Sequence, residues 1–156
     1  MSHEDVIKHY WEAYNGHDVD AVLALMSDDV IIQFPTTPQP IRGKESIRPV
    51  WSMLFSKVIP DIHEEVVRTV IEGDTAACEF VETGTLTVPP GLGGAPSSGS
   101  THGRPYRTDI AAFFSFNREG LIERVRSYWD TGAFAEQVGI DIAVIRSMQS
   151  RARTLT

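Results

Sequence analysis

The chain has 156 residues, about the size of one ordinary domain, and its 42% hydrophobic and 22% charged residues place it among globular proteins rather than disordered ones. No apolar run approaches the ~20 residues that a bilayer requires, so no membrane association is expected. A net charge of -7 with no basic stripe disfavours nucleic acid and anionic lipid, and a single cysteine, Cys78, excludes an internal disulfide. The opening MSHEDVIKHYWEAY is charged and amphipathic, unlike a signal peptide, and a cytoplasmic location is the expectation.

Residues 4–16 set Val6, Ile7, Tyr10, Ala13 and Tyr14 at helical spacing, and Asn15-Gly16 is expected to end that helix in a left-handed cap. Asp18 is a good N-cap for a second helix reaching Met26. Asp28-Asp29 then reads as a turn into VIIQF, a β-branched run closed by Pro35, and PTTPQPIRG reads as loop. From Lys44 to Val58 the spacing predicts a third helix with Ile47, Trp51, Leu54 and Phe55 on one side.

Beyond that point the period changes to two. Glu64 to Glu72 alternates weakly, Gly73-Asp74 makes a turn, and Thr75 to Val88 forms a long strand. The Gly/Pro/Ser-rich stretch 89–105 has nothing to bury and is expected to be a mobile loop over the pocket mouth. Strands from Tyr106 to Asn117 and from Leu121 to Trp129 follow, joined by an Arg118-Glu119-Gly120 turn. Asp130-Thr131 can cap a short helix through Val138, and an amphipathic tail comes after it. Helices first and strands later indicate an α+β domain with the helices on one sheet face.

Alternation places Ala76, Cys78, Phe80, Gly84, Leu86 and Val88 on one face of the long strand, and Glu82 falls on that same apolar face. A carboxylate there loses solvent, its pKa rises, and it becomes suited to proton transfer unless an arginine or a bulge intervenes. The next strand presents Tyr106, Thr108, Ile110, Ala112, Phe114 and Phe116 on its more apolar side, and the last strand turns Val125, Ser127 and Trp129 inward. Tyr10 and Tyr14 lie one turn apart on the inner side of the first helix, where a phenol could donate to a ligand oxygen. The opposite sheet face, with Val81, Ala111, Phe113 and a row of threonines, is apolar enough to expect a homodimer. His17, His63 and His102 have no metal-ligand spacing, and GxGxxG, Walker, GxSxG and HExxH patterns are absent, so neither metal nor cofactor is expected.

The run YWEAYNGHDVDAVLALMSDDVIIQFP with IRGKESI, then ETGTL, then HGRPYRTDIAAFFSFNREGLIERVRSYWDTGAFAEQVGI, resembles the SnoaL-like polyketide cyclases of the nuclear-transport-factor-like superfamily over residues 6–140. That resemblance implies a curved antiparallel sheet wrapped into a cone around the N-terminal helices and enclosing an apolar pocket. Residues 1–142 would be this one domain, 89–105 a flexible inserted loop, and 143–156 a partly helical tail. It implies an acid/base aspartate at Asp130, while Phe116 stands where the accompanying histidine is expected. Against ketosteroid isomerases Tyr10 matches the oxyanion-binding tyrosine, and Phe34 and Ala112 stand at the two acid positions. Against limonene epoxide hydrolase-like members Glu82 matches one aspartate, and Phe80 and Ser127 stand at the arginine and the other aspartate.

These readings nominate Glu82, Asp130 and Tyr10 as catalytic groups. They nominate Tyr14, Phe34, Trp51, Phe55, Phe80, Ala112, Phe114, Ser127 and Trp129 as substrate contacts. The expected activity is cofactor-independent cyclisation or isomerisation of a polyketide-like or other apolar carbonyl compound. A non-catalytic small-molecule-binding or assembly module, and a cofactor-free hydroxylase or epoxide-opening enzyme, are the alternatives.

Overall fold

The structure is a computed structural model that describes residues 1–88 and 102–147. Three helices come first: α1 (His3–Asn15), α2 (Val19–Ala24) and, after strands β1 (Met26–Gln33) and β2 (Ile41–Arg42), α3 (Lys44–Met53). Strands β3 (His63–Glu72), β4 (Thr75–Val88), β5 (His102–Phe116) and β6 (Ile122–Trp129) follow, then α4 (Thr131–Val138) and a helical stretch over 142–147 whose Ile145 is buried. The six strands form one sheet in the order β2-β1-β6-β5-β4-β3. Every pair is antiparallel except β1 with β6, which is parallel.

Local chemistry explains the elements. Ser2 and Asp5 form a capping box at the start of α1, with the Asp5 N–H donating to Ser2 Oγ at 3.1 Å. The expected left-handed residue after α1 is not Gly16, whose φ is -77°, but His17, whose φ is 55°. His17 is held in that conformation from outside: Nε2 donates to the Ile62 carbonyl at 2.7 Å, and the ring stacks on Phe55. Asp18 caps α2 as expected, its carboxylate accepting from the Ala21 N–H.

Four boundaries differ from the sequence expectation. Asp28-Asp29 is not a turn but part of β1, exposed where the β1–β6 register jumps between Met26 and Ile31. The second helix stops at Ala24 because Leu25 and Met26 already lead into the sheet. The third helix is α-helical only to Met53; Leu54–Val58 is a π-helical turn, closed by the Ile59 N–H donating five residues back to Leu54 O at 2.8 Å. Residues 102–105, expected in a loop, extend β5 and pair with Val88 back to Thr85. The rest of the expected mobile loop, and the end of the tail, lie outside the described residues.

The helices cover one sheet face. Phe114 and Ala76 are fully buried there, whereas Phe113, one residue along, is 47% exposed on the other face. Tyr10 and Trp11 of α1 meet Phe114 and Phe80 edge-on or tilted, with ring centroids 5.0 and 4.6 Å apart. Among the described residues no helix is long and apolar enough to cross a membrane.

Candidate active site

Between the sheet and the helices lies a cavity of about 380 Å³. Tyr10, Trp11 and Tyr14 of α1 form one wall, and Trp51 with the π-helical turn forms the next. Phe80, Ile110, Ala112, Phe114 and Trp129 make the floor. Among the described residues that line it there is no lysine, arginine or histidine, and the only carboxyl groups are Glu64 and Glu82.

Those two carboxyls are placed by register. Glu64 of β3 is the direct partner of Glu82 on β4, and Glu82 is the direct partner of Thr108 on β5, so three polar side chains cross the sheet in one row. The row depends on an irregularity. Val67 is an extra residue between the Val66–Phe80 and Arg68–Glu79 pairs, and this bulge brings Glu64, rather than Glu65, opposite Glu82. The far side of β3 has no strand neighbour, and Asn15 at the end of α1 supplies the missing partners. Its amide donates to Glu64 O and accepts from the Glu64 N–H, both at 2.8 Å. The end of α1 therefore fixes the backbone of a cavity carboxyl.

The pair is bonded to itself and to a phenol. Tyr106 Oη donates to Glu82 Oε2 at 2.7 Å, and the Glu64 and Glu82 carboxyls hydrogen-bond one another. Burial raises the pKa of both. Glu64 rises well above the ordinary value because the Glu82 charge adds to its desolvation. Desolvation also raises Glu82, but the donors Glu64 and Tyr106 offset part of that rise. The two carboxyls therefore titrate as a pair, and burial favours their holding a proton between them. Burial and the same carboxyls push the Tyr10, Tyr14 and Tyr106 phenols far up, so all three remain protonated donors. Four polar atoms of cavity-lining residues, Trp11 Nε1, Thr36 Oγ1, Glu64 Oε2 and Thr108 Oγ1, are buried without a hydrogen-bond partner.

Gly84 sets the height of the Tyr106 hydroxyl. A Cβ at Gly84 would lie 2.4 Å from Ile59 Cγ2 and 3.2 Å from Tyr106 Oη, so only glycine lets the π-helical turn close over β4 here.

Of the residues nominated from the sequence, Glu82, Tyr10, Tyr14, Phe34, Trp51, Phe80, Ala112, Phe114, Ser127 and Trp129 line this cavity together. Phe55 does not; it stands behind the wall, edge-on to Tyr14 at 5.0 Å. Asp130 is also outside. It is exposed, and its Oδ1 accepts from the Ala133 N–H at 2.9 Å as the N-cap of α4. Glu64, Tyr106, Thr108 and Asn15 were not singled out as site residues from the sequence. Alternation does place Tyr106 and Thr108 on the apolar face, and a carboxyl at 64 or 65 opposes Glu82 in either register of the β3–β4 hairpin.

Residues 7–125, more than half of the chain, match the family described as SnoaL-like domain. Among solved structures, IdmH of Streptomyces antibioticus, a proposed polyketide cyclase, superposes with a TM-score of 0.71 at 24% identity, over 90% of this chain and 100% of that one. A proposed polyketide cyclase of Pseudomonas putida KT2440 gives 0.68 at 27% identity, over 88% and 98%. A Catenulispora acidiphila protein of ketosteroid isomerase-like fold gives 0.69 at 16% identity, over 88% and 95%. No curated protein matches this chain. The family match spans α1 to the middle of β6, the same elements that build the cavity and its carboxyl row, and the chain belongs to the SnoaL-like domain family.

Proposed function

We propose that this chain is a cofactor-independent cyclase or isomerase that moves a carbon-bound proton in a small, largely apolar carbonyl compound. The observation behind the proposal is the Glu64–Glu82 pair, two buried carboxyls adjacent across β3 and β4 and facing an aromatic cavity. Glu82 is the base. Its pKa, raised by burial, brings it towards the range in which a carboxylate takes a proton from carbon without being uselessly weak. Tyr10 or Tyr14, held protonated on the facing helix, donates to the developing enolate oxygen. Glu64 carries a proton that can be returned to the product. The similarity to proposed polyketide cyclases agrees with this class of chemistry.

The test is carbon-bound hydrogen exchange or cyclisation in deuterated water, followed by NMR over a panel of neutral polycyclic ketones. Glu82→Gln keeps the side chain's shape and should lower turnover by ~100-fold or more, the usual scale of a lost general base. Turnover by Glu82→Gln at the wild-type rate, with the same melting behaviour, would remove the mechanism.

A further inference from the structure

The cavity's charge and its orphaned polar atoms say what kind of ligand it accepts. The Glu64 and Glu82 carboxyls are part of the lining, and among the described residues no cationic side chain lines the cavity with them. Glu64 is 4% exposed, and its Oε2, a carboxyl oxygen able to accept a hydrogen bond, has no partner. Thr108 Oγ1, next in the row, is also unpartnered and 7% exposed at the residue. The walls opposite are the rings of Tyr10, Trp11, Tyr14 and Trp51, whose faces attract a cation.

We propose that the cavity recognises a protonated amine: an ammonium group hydrogen-bonded to Glu64 and Glu82 and enclosed by the α1 and α3 aromatic rings, on a small apolar body. This rests on the reading above that the Glu64–Glu82 cavity is the place of the chemistry, and it adds an amino group to the apolar carbonyl substrate of that site. The ammonium supplies the positive charge that the described lining lacks and a donor for the unpartnered Glu64 Oε2. A carboxylate or phosphate would set its negative charge beside two carboxyls with no cation among the described lining residues to neutralise it. The cavity is at the small end of the ~300–1,000 Å³ range of ligand pockets, which limits the body to a few rings.

Three probes of one shape separate the possibilities: 2-naphthylmethylamine, 2-naphthylmethanol and 2-naphthoate. Their binding to the full chain is read by calorimetry and by quenching of Trp11, Trp51 and Trp129, all of which line the cavity. The expected order is amine over alcohol by ~10-fold and over carboxylate by ~100-fold or more, one and two steps of 1.4 kcal/mol. Glu82→Gln and Glu64→Gln should each erase most of the amine's advantage over the alcohol. Equal or tighter binding of naphthoate, millimolar or weaker binding of the amine, or an amine preference that survives both substitutions overturns the proposal. If a variant fails to fold, the wild-type series alone decides. Amine binding without proton exchange on any ketone would sink the catalytic reading and leave this one standing. Glu82-dependent turnover with no amine preference would do the reverse.

Discussion

Glu64 and Glu82 hold more protons in the folded chain than free glutamates do, and this gives their contribution to stability a definite sign. A carboxyl whose folded pKa is raised contributes stability fully present below its unfolded value, 4.5, and lost as pH climbs through the elevated one. The wild-type melting temperature should therefore fall relative to that of Glu64→Gln as the pH climbs above 4.5 through the elevated pKa of the pair. A flat difference across that range would mean the pair is not buried as a pair. Gly84 offers a second check on the same residues. Gly84→Ala must displace Ile59 or the Tyr106 hydroxyl, an overpacking cost of ~1–3 kcal/mol in thermal or urea unfolding. If Tyr106 is displaced, Glu82 loses one of the two donors that moderate its pKa, and the pH profile of turnover should move to the alkaline side. Destabilisation with an unmoved profile would assign Gly84 to packing alone.

Helices and strands were largely legible because their signals are local. The Asp18 cap, the 118–120 turn, and the start of α4 at Asp130 with its end at Val138 all follow from turn and cap chemistry within a few residues. Asp130 was legible as a cap, and a cap is where the structure places it. Asp130→Ala should cost ~1 kcal/mol of stability in chemical unfolding while turnover stays unchanged, since its side chain is outside the cavity. A large loss of turnover at constant stability would return it to the chemistry. The parts that were not legible depend on contacts distant in sequence. The Val67 bulge, which decides whether position 64 or 65 faces Glu82, leaves no mark in a weakly alternating edge strand. His17 adopts a glycine's conformation because Ile62 and Phe55, dozens of residues away, hold it there. Residues 102–105 have the composition of a loop and become strand only through pairing with residues 85–88.

At the scale of the molecule, the helices bury one face of the sheet and leave the other bare. Across that outer face the register aligns Val70, Ala77, Phe113 and Arg126 in one row, and Arg68, Glu79, Ala111 and Tyr128 in the next. Phe113 and Tyr128 are each 47% exposed and Val70 is 55% exposed, while Arg126 lies over the Tyr128 ring at 5.2 Å. The Arg68–Glu79 bridge at 3.1 Å is solvent-exposed and contributes little by itself, so the apolar rows are what a partner would bury. A second copy of the sheet laid on this face could reach the ~800 Å² per partner of a standard interface. Light scattering during size exclusion should then give about twice the 17.3 kDa chain mass at micromolar concentration. Phe113→Glu, which sets a charge at the centre of that face, should return the mass to the monomer. Because Phe113 points away from the cavity, the monomeric variant should still bind the naphthyl amine as the wild type does. A wild-type mass of 17.3 kDa would remove the dimer, whereas a Phe113→Glu monomer that no longer bound the amine would show that the outer face supports the cavity floor.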